Sequence, residues 1–431
     1  KTFIQAFTDA EMSTGATSDD TAFIYTSKSA GGNDIVTVEF IDLTIRNIRI
    51  KEASNALAAV SLGAGTKATF NNVRFTNCDN AYTYGSVLNI PTGVISVEMN
   101  NCLIDNNTGK DGTAIYCYNT SATQAVSLTM TDCVVRDNVS TAAAAGLRFW
   151  TQGTAPINVT LGNCVFYNND AVQNASCLEL LGAGITIDVI NSTFADNLSS
   201  CDIYCKNNPK ITLVNDLFYG TNQGAAANVI YNASSTFTSD NLTLKNTIME
   251  TIDIAYFSAI SPENCLFNET IGTLMEAINS NHEIRPKSES FAIDAGIVYS
   301  PYTDGFLGNA PDIGAYQTSY TYADLLPVRP RRLYLTEPTT NTVTLNWLGG
   351  SLRGGTVILK DGIAVDTVNT TSYTVTGLQA NTQHQLGLYV YNSLGKTDTL
   401  FANVYGGETI SSSQKPYTTP IMEEVAPAAG K

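Results

Sequence analysis

The fold is decided by a short stretch that recurs along the chain and is clearest at Thr160-Leu161-Gly162-Asn163-Cys164-Val165-Phe166. An apolar alternation leads to an Asn or Asp, a small residue follows, and two apolar positions complete the motif. Copies on either side are centred on Asn72, Asn101, Asp132, Asn191, Asn215, Asn246 and Asn264, with spacings between 18 and 31 residues. A repeat of this length is typical of solenoids and propellers.

Each repeat contains short β-type runs without helical periodicity, so the fold class is all-β. The third run of each repeat is recognisable at Ile115-Tyr116-Cys117, Leu147-Arg148-Phe149, Leu178-Glu179-Leu180 and Ile203-Tyr204-Cys205. Three short strands in a repeat of this length predict a parallel β-helix, because a four-stranded propeller blade needs about 40–45 residues.

The repeats between about residues 35 and 270 resemble the right-handed parallel β-helix proteins of the pectin-lyase-like superfamily. This resemblance implies a right-handed solenoid. It leaves the activity open, because the superfamily includes lyases, hydrolases, adhesins and passive stalks. Ser290–Gly296 and Pro311–Tyr316 resemble the closing module of bacterial surface β-helix proteins. We therefore expect residues 1–325 to form the β-helix, with its cap at about 280–325.

A second domain is predicted over residues 326–405. Thr342–Trp347 alternates cleanly, and Ser372–Leu378 carries a Tyr-x-Val-x-Gly-Leu run. Both segments resemble a fibronectin type III domain, which is a small β-sandwich. His384 stands where that family places its corner Tyr, which leaves open whether the corner hydrogen bond is made by imidazole or is missing. Residues 406–431 are expected to form an extended tail.

The charge of the chain restricts its partners. The 431 residues include 39 acidic and 23 basic side chains, for a net charge of −16. Residues 1–327 hold 32 of these acidic and 15 of these basic side chains, so the acidity belongs to the solenoid. This balance argues against nucleic acid and anionic membranes as partners. No apolar run approaches the roughly 18–20 residues of a membrane span, so no transmembrane segment is predicted.

The cysteines are expected to be reduced core residues. Cys102, Cys133 and Cys164 occupy one position of successive repeats. Such residues stack about 4.8 Å apart, whereas a disulfide brings its Cβ atoms to about 3.8 Å. A local bridge between Cys201 and Cys205 is left open. The chain has no Cys-x-x-Cys pair and only two histidines, so neither a metal site nor a cofactor is predicted.

No catalytic residue is assigned. Arg49-Ile50-Lys51 matches the Arg-x-Lys of galacturonan hydrolases in the superfamily, but residues 1–281 contain no histidine to support it. The alternative is a Ca²⁺-dependent lyase acting on a uronate polymer, with oxygen ligands from Asp132, Asp188 and Glu179 and with Arg148 as the base. Calcium would be a cofactor only in that case.

The third run of each repeat predicts a binding surface. If its flanking apolar residues point inward, alternation turns one column outward and a second column follows on the same face. Aromatic rings interleaved with charged groups form a platform on which sugar rings stack. The candidate glycan-binding residues are Tyr116, Tyr118, Arg148, Trp150, Glu179, Tyr204 and Lys206. The alternative is that these side chains pack beneath a loop or the N-terminal segment.

Two further columns follow from the repeat. The Asn residues at positions 101, 163, 191, 215 and 246 are predicted to form a structural ladder. The same register also turns an apolar stripe outward, formed by Leu103, Val134, Val165, Leu217, Ile248 and Leu266. The stripe must be covered, form an oligomer contact, or reflect a register shifted by one residue.

The sequence therefore favours a secreted or cell-surface bacterial protein that binds a polysaccharide or a host or cell-surface glycan without catalysis. Asp20-Thr21-Ala22, Asp366-Thr367-Val368 and Asp398-Thr399-Leu400 resemble glycosylation sites of exported Bacteroidetes proteins, which favours the outer surface of a Gram-negative bacterium. The alternatives are the lyase and a purely structural surface stalk. The glycan and the oligomeric state stay open.

Overall fold

The computed structural model divides the chain into two compact units. The first contains residues 1–285, 296–306 and 311–317, and the second contains residues 286–295, 307–310 and 318–431. The residues that the structure describes are 2–5, 24–26, 35–50, 58–220, 229–234, 236–308, 310–318, 327, 330–336, 339, 341–348, 354–380 and 382–406. Of the predicted tail, all but Gly406 lies outside these residues.

The first unit is a parallel β-solenoid in which strands of successive coils stack in register. The first sheet contains Val36–Ile41, Thr66–Asn71, Ser96–Asn100, Val126–Thr131, Ile157–Gly162, Ile185–Ile190, Lys210–Val214 and Leu242–Lys245. The second sheet contains Thr2–Gln5, Leu43–Arg46, Arg74–Thr76, Leu103–Asp105, Val134–Arg136, Val165–Tyr167, Thr193–Ala195, Leu217–Tyr219, Ile248–Met249 and Leu266–Phe267.

Two more sheets complete the coils. Within the described residues, the third sheet contains four strands, Asp79–Tyr84, Thr108–Asp111, Val139–Ala143 and Asp170–Gln173. The fourth sheet contains Ile24–Tyr25, Val60–Ser61, Leu88–Ile90, Ile115–Asn119, Leu147–Thr151, Ala175–Leu181, Cys201–Lys206 and Ile230–Asn232. Two 3₁₀ turns, Ile254–Phe257 and Gly272–Leu274, follow the later coils. The third sheet was not predicted, because its short polar strands show no apolar alternation.

The repeated Asn or Asp marks a corner of each coil. All eight marked positions, from Asn72 to Asn264, have a left-handed backbone with φ between 45° and 58°. Asn and Asp adopt this conformation more readily than other non-glycine residues, which explains why the repeat requires them. The predicted ladder forms where Asn191 Nδ2 donates to Asn163 Oδ1 over 3.0 Å. Asn215 instead exchanges hydrogen bonds with the backbone of Ile297.

A second asparagine ladder lies inside the solenoid and was not predicted. Asn107, Asn138, Asn169 and Asn197 are fully buried. Each of the first three donates Nδ2 to Oδ1 of the next, over 2.9 to 3.1 Å. The signal in the sequence is an Asn or Asp followed by Asn, five residues after the marked corner. These buried amides hold neighbouring coils at a fixed spacing.

The core is formed by stacked columns of identical or similar side chains. Phe166, Phe194 and Phe218 stack with ring centroids 4.7 and 4.5 Å apart. All nine cysteines are buried and unbridged, which confirms the reduced ladder and excludes the Cys201–Cys205 bridge in this structure. Asp216 occupies the cysteine position in its coil, where its two carboxyl oxygens accept hydrogen bonds from the backbone N–H groups of Ser192 and Val214.

The apolar stripe on the second sheet is buried except at Leu103, which is partly exposed. Val165, Leu217 and Ile248 are fully buried. The segments 296–306 and 311–317 of the same unit lie along this sheet, and Ala315 donates its N–H to Thr193 Oγ1 over 2.9 Å. These segments belong to the predicted cap of about 280–325, and they lie along the flank of the solenoid rather than only at its end.

The second unit contains two antiparallel sheets consistent with a β-sandwich. One sheet contains Arg331–Thr336, Val343–Leu348 and Ser372–Val375, and the other contains Gly355–Lys360, Ile363–Val368, Thr382–Asn392, Gly395–Lys396 and Leu400–Gly406. Trp347 is buried in its core. His384 makes the corner hydrogen bond: its Nε2 accepts the N–H of Gln379 over 2.9 Å, and its Nδ1 lies 2.7 Å from Asp361 Oδ2.

Candidate functional site

The predicted columns are present on the fourth sheet. Tyr116 pairs in register with Arg148, Arg148 with Glu179, and Glu179 with Tyr204. Tyr231 extends this column by one coil. In the second column, Tyr118 pairs with Trp150, Trp150 with Leu181, and Leu181 with Lys206. The structure therefore brings all seven sequence-predicted residues to one face, and it adds Leu181 and Tyr231.

Aromatic rings form a continuous group at one end of this face. Tyr116 stacks on Tyr84, with ring centroids 4.8 Å apart and planes inclined by 16°. The ring of Tyr118 lies 6.4 Å from that of Tyr116 and 5.0 Å from that of Trp150. Tyr118 also donates its hydroxyl to Gln152 Oε1 over 2.8 Å. Tyr84 was missed by sequence reasoning because it ends a strand of the unpredicted third sheet.

Two glycines allow the third sheet to approach the face. Gly85 and Gly112 have positive φ angles of 69° and 59°. A Cβ atom at Gly85 would lie 2.9 Å from the Cβ of Tyr116, and one at Gly112 would lie 2.8 Å from the Cβ of Arg148. Both the backbone conformation and the space therefore require glycine. The turn at Gly112 places the preceding Asp111 beside Arg148.

Arg148 is held between two carboxylates. Its Nη1 lies 2.8 Å from Asp111 Oδ1, and its Nε lies 2.8 Å from Glu179 Oε2. The other oxygen of Glu179 accepts from Asn174 Nδ2 over 2.6 Å. The guanidinium carbon of Arg148 also lies 5.2 Å from the ring centroid of Tyr84. Burial raises the pKa of Glu179 and that of Asp111, while the nearby Arg148 opposes both shifts.

Burial corrects which predicted residues a ligand could reach. Tyr116 is 3% exposed because it packs against Tyr84 and the turn at Gly85. Glu179 is 1% exposed and contacts Arg148 and Asn174. They are supporting residues rather than the surface residues that the sequence predicted. Tyr118, Arg148, Trp150 and Tyr204 are partly exposed, and Lys206 is exposed. The remaining contact surface is therefore mainly aromatic, with one exposed amine.

The carboxylates of the lyase alternative are not brought together. Asp132 lies at a coil corner, where Oδ1 accepts from Asn163. Asp188 lies on the first sheet and Glu179 on the fourth. Over the part of the chain that the structure describes, no three His, Cys, Asp or Glu side chains are placed to hold a metal ion. Arg148, the candidate base, is engaged by two carboxylates.

The Arg-x-Lys motif does not form a site within the described residues. Arg49 pairs with Asp79, its Nε lying 3.1 Å from Oδ2, on a different part of the coil from the aromatic group. Lys51 lies outside the described residues. The described helices, both short 3₁₀ turns, include none long and apolar enough to span a membrane.

Comparisons with known proteins concern the fibronectin type III fold. No family model matches the chain, and no curated protein matches it. Among solved structures, it is similar to titin domains A168–A170, with 18% identity over 20% of this chain and 33% of that one and a TM-score of 0.18. The chain is also similar to the fibronectin type III domain of human fibronectin type III domain containing protein 3. The identity is 18% over 23% of this chain and all of that one, with a TM-score of 0.18. The chain thus spans a third of the titin structure.

Proposed function

We propose that the fourth-sheet face binds a neutral glycan without catalysis. The observation that carries the proposal is the contact group of Tyr84, Tyr118 and Trp150, supported from beneath by Tyr116. Partly exposed rings whose positions are fixed by stacking offer flat apolar surfaces at low entropic cost. Gln152 and Lys206, both exposed at the edge of the face, supply the polar contacts that fix the orientation of a sugar ring.

Charge favours a neutral ligand over a uronate polymer. Arg148 is the cation at the centre of the face, and both Asp111 and Glu179 pair with it. Its charge is therefore compensated, and an incoming carboxylate would have to displace a buried one. Residues 1–327 also hold 32 acidic against 15 basic side chains, an excess of negative charge that would repel a polyanion. A neutral polysaccharide would neither have to displace a carboxylate from Arg148 nor be repelled by the acidic side chains.

The proposal also includes the location of the protein, its superfamily and the role of the second unit. We infer a secreted or cell-surface protein of a Gram-negative bacterium, related to the pectin-lyase-like β-helix proteins. The fibronectin-like unit would act as a spacer or docking module. The structural stalk is a weaker candidate, because a stalk gives no reason to leave Trp150 partly exposed beside a clustered aromatic surface.

The test is retention on immobilised polysaccharides. Neutral glucans, xylans and mannans are compared with polygalacturonate, using the full chain and its Trp150→Ala and Tyr204→Ala variants. Tyr334→Ala is the matched control, since Tyr334 is a 46% exposed aromatic residue of the second unit. We expect retention on a neutral polymer that Trp150→Ala abolishes and Tyr334→Ala leaves unchanged. Retention on none of these polymers, or retention independent of Trp150, would refute the proposal.

The lyase is tested separately. The protein is incubated with pectin, alginate and chondroitin, with and without Ca²⁺, and the ultraviolet absorbance of unsaturated product is followed. We expect no increase on any polymer, because the three acids assigned to calcium lie apart. A Ca²⁺-dependent increase would replace glycan binding by uronate cleavage as the function.

A further inference from the structure

The turn at residues 276–285 lies over the earlier coils of the second sheet. The N–H of Glu276 donates to the carbonyl of Arg285 over 2.8 Å, which joins the two ends of the turn. Near the tip, His282 lines the same hollow as Leu43 of the second sheet. Ile284 anchors the turn, since it is only 1% exposed. The turn therefore places an imidazole against the second sheet.

The tip of the turn is held in one conformation by Asn279. Its Oδ1 accepts from the N–H groups of Asn281 and Glu283, over 2.8 and 3.1 Å, and its Nδ2 donates to Glu283 Oε2 over 2.9 Å. His282 has a φ of 65°, a left-handed conformation that non-glycine residues adopt at a cost. Opening the turn would relieve this backbone conformation.

Arg285 ties the turn to the segment that covers the second sheet. Its Nη1 donates to the carbonyl of Gln317, and its guanidinium carbon lies 5.7 Å from the ring centroid of Tyr316. Both partners belong to the covering segment 311–317. Opening of the turn would therefore loosen the cover at the coils where Leu103 is already partly exposed.

The ring of His282 fits this place only while it is neutral. Its Nδ1 is buried and has no hydrogen-bond partner among the described residues. A neutral imidazole can carry its one proton on Nε2, whereas an imidazolium has an N–H on both nitrogens. Protonation in place would bury a donor of a charged group without an acceptor, which is costly. The residue as a whole is partly exposed, so protons from solvent reach the ring once the turn opens.

The charges around the ring act in both directions. They are Arg74, Asp105 and Arg136 on the second sheet, Asp42 and Asp137 at coil corners, and Glu283 and Arg285 on the turn itself. Burial lowers the pKa of His282 most, followed by the charge of Arg136. Arg74 adds to this shift, while Asp105 and Asp137 oppose it. Burial and the two arginines prevail, so the closed turn favours the neutral ring.

We propose that the turn at residues 276–285 is a strap that opens on acidification, when His282 takes up a proton. The open form binds this proton more readily than the closed form. The closed form is therefore favoured above the ordinary histidine pKa of about 6.5, and it loses stability as the pH falls below that value. Opening uncovers the second sheet at Leu43 and Leu103 in mildly acidic surroundings.

The first measurement is the pKa of His282 in the full chain. The chain has two histidines, so nuclear magnetic resonance signals of isotope-labelled histidine are assigned by comparison with His282→Asn. We expect His282 to titrate below the ordinary value of about 6.5. A pKa at or above that value would overturn the proposal.

The second measurement is hydrogen exchange of peptides from residues 276–285. Protection factors, corrected for the intrinsic exchange rate at each pH, are compared between roughly pH 7.5 and 5, a range above the ordinary carboxyl pKa of about 4. We expect the protection of wild type to fall by about threefold or more over this range, and by no more than about tenfold per pH unit. Peptides from Val126–Thr131 of the first sheet are the internal control and should keep their protection.

His282→Asn separates the imidazole from the turn. Asparagine tolerates the positive φ and does not titrate, so the protection of residues 276–285 in this variant should be the same at both pH values. Wild-type protection that does not fall on acidification, or an equal fall in His282→Asn, would overturn the proposal. If the variant leaves the turn unprotected at both pH values, the wild-type exchange and the His282 pKa decide.

Discussion

Arg148 and Glu179 occupy the same position on adjacent coils, and Nε of the first lies 2.8 Å from Oε2 of the second. Glu179 is buried, whereas the side chain of Arg148 is 13% exposed and its guanidinium lies 5.2 Å from the ring centroid of Tyr84. Arg148 also pairs with Asp111, so it links two buried carboxylates, a role that the sequence did not predict.

Breaking this pair should destabilise the solenoid. Arg148→Met leaves Glu179 and Asp111 buried without their cation, and we expect a loss of about 3 kcal/mol in the free energy of unfolding. Arg148→Met combined with Glu179→Gln should recover part of that loss, because one uncompensated charge is removed. Chemical denaturation of wild type, Arg148→Met and the double variant measures their free energies of unfolding. Equal stabilities of wild type and Arg148→Met would contradict the assignment.

The inner asparagine ladder should contribute strongly to stability. Asn138→Ala removes a donor to Asn169 and an acceptor for Asn107. Because these partners are buried, we expect a loss of about 3 kcal/mol. The matched control is Asn163→Gly at a coil corner, where glycine keeps the left-handed backbone and the loss should stay below about 1 kcal/mol. The denaturant midpoints of Asn138→Ala and Asn163→Gly measure these losses. Similar losses at both sites would contradict the contribution of the inner ladder to stability.

Asp216 makes stability depend on pH. Burial raises the pKa of this carboxyl well above its usual value. The folded state therefore holds its proton at pH values where the unfolded chain has released it. That contribution to stability is present below the unfolded pKa of about 3.9 and is lost as pH rises towards the folded pKa.

Replacing Asp216 by Asn should remove this pH dependence of the free energy of unfolding. We expect wild type to lose up to about 1.4 kcal/mol per pH unit relative to Asp216→Asn across that window. Unfolding free energies of both proteins, measured by denaturant titration between pH 4 and neutral in roughly one-unit steps, give the difference. Parallel pH profiles would show that Asp216 is ionised in the folded protein.

The nine buried thiols give a direct test of the core. A thiol-specific reagent should find almost none of them in the native protein and all nine after unfolding. Reducing agent should leave the melting temperature unchanged, because no bridge is present to be broken. Rapid reaction of the folded protein, or fewer than nine thiols after unfolding without reductant, would disagree with the structure.

The sequence predicts those features that repeat from coil to coil. Marked corners such as Asn163 follow from local backbone preference, and the register of Arg148 with Glu179 follows from alternation. Tyr84 could not be found in this way, since Asp79–Tyr84 carries no apolar alternation and owes its place to stacking on Thr108–Asp111. The cover over the second sheet depends on contacts such as that of Asn215 with Ile297, 82 residues away, which no local pattern specifies.

The repeat pattern could not predict how deeply individual side chains of the fourth-sheet face are buried. Alternation turns Tyr116 and Glu179 away from the core, but contacts with Tyr84 for the first and with Arg148 and Asn174 for the second then bury them. Within the candidate site, the sequence therefore predicted the face on which these side chains lie but not the burial of Tyr116 and Glu179. The accessible residues of the proposed glycan-binding face are Tyr84, Tyr118 and Trp150, with Tyr204 and Lys206 further along.

The most direct test of the central claim is calorimetric titration with hexasaccharides of neutral glucans, xylans and mannans and with hexagalacturonate. We predict that wild type binds at least one neutral oligosaccharide and does not bind hexagalacturonate, with or without Ca²⁺. Trp150→Ala should weaken that binding by about tenfold or more, the value of losing one buried aromatic contact, and Tyr334→Ala should leave it unchanged. Absence of binding to every neutral oligosaccharide, or equal affinity of wild type and Trp150→Ala, would contradict the account.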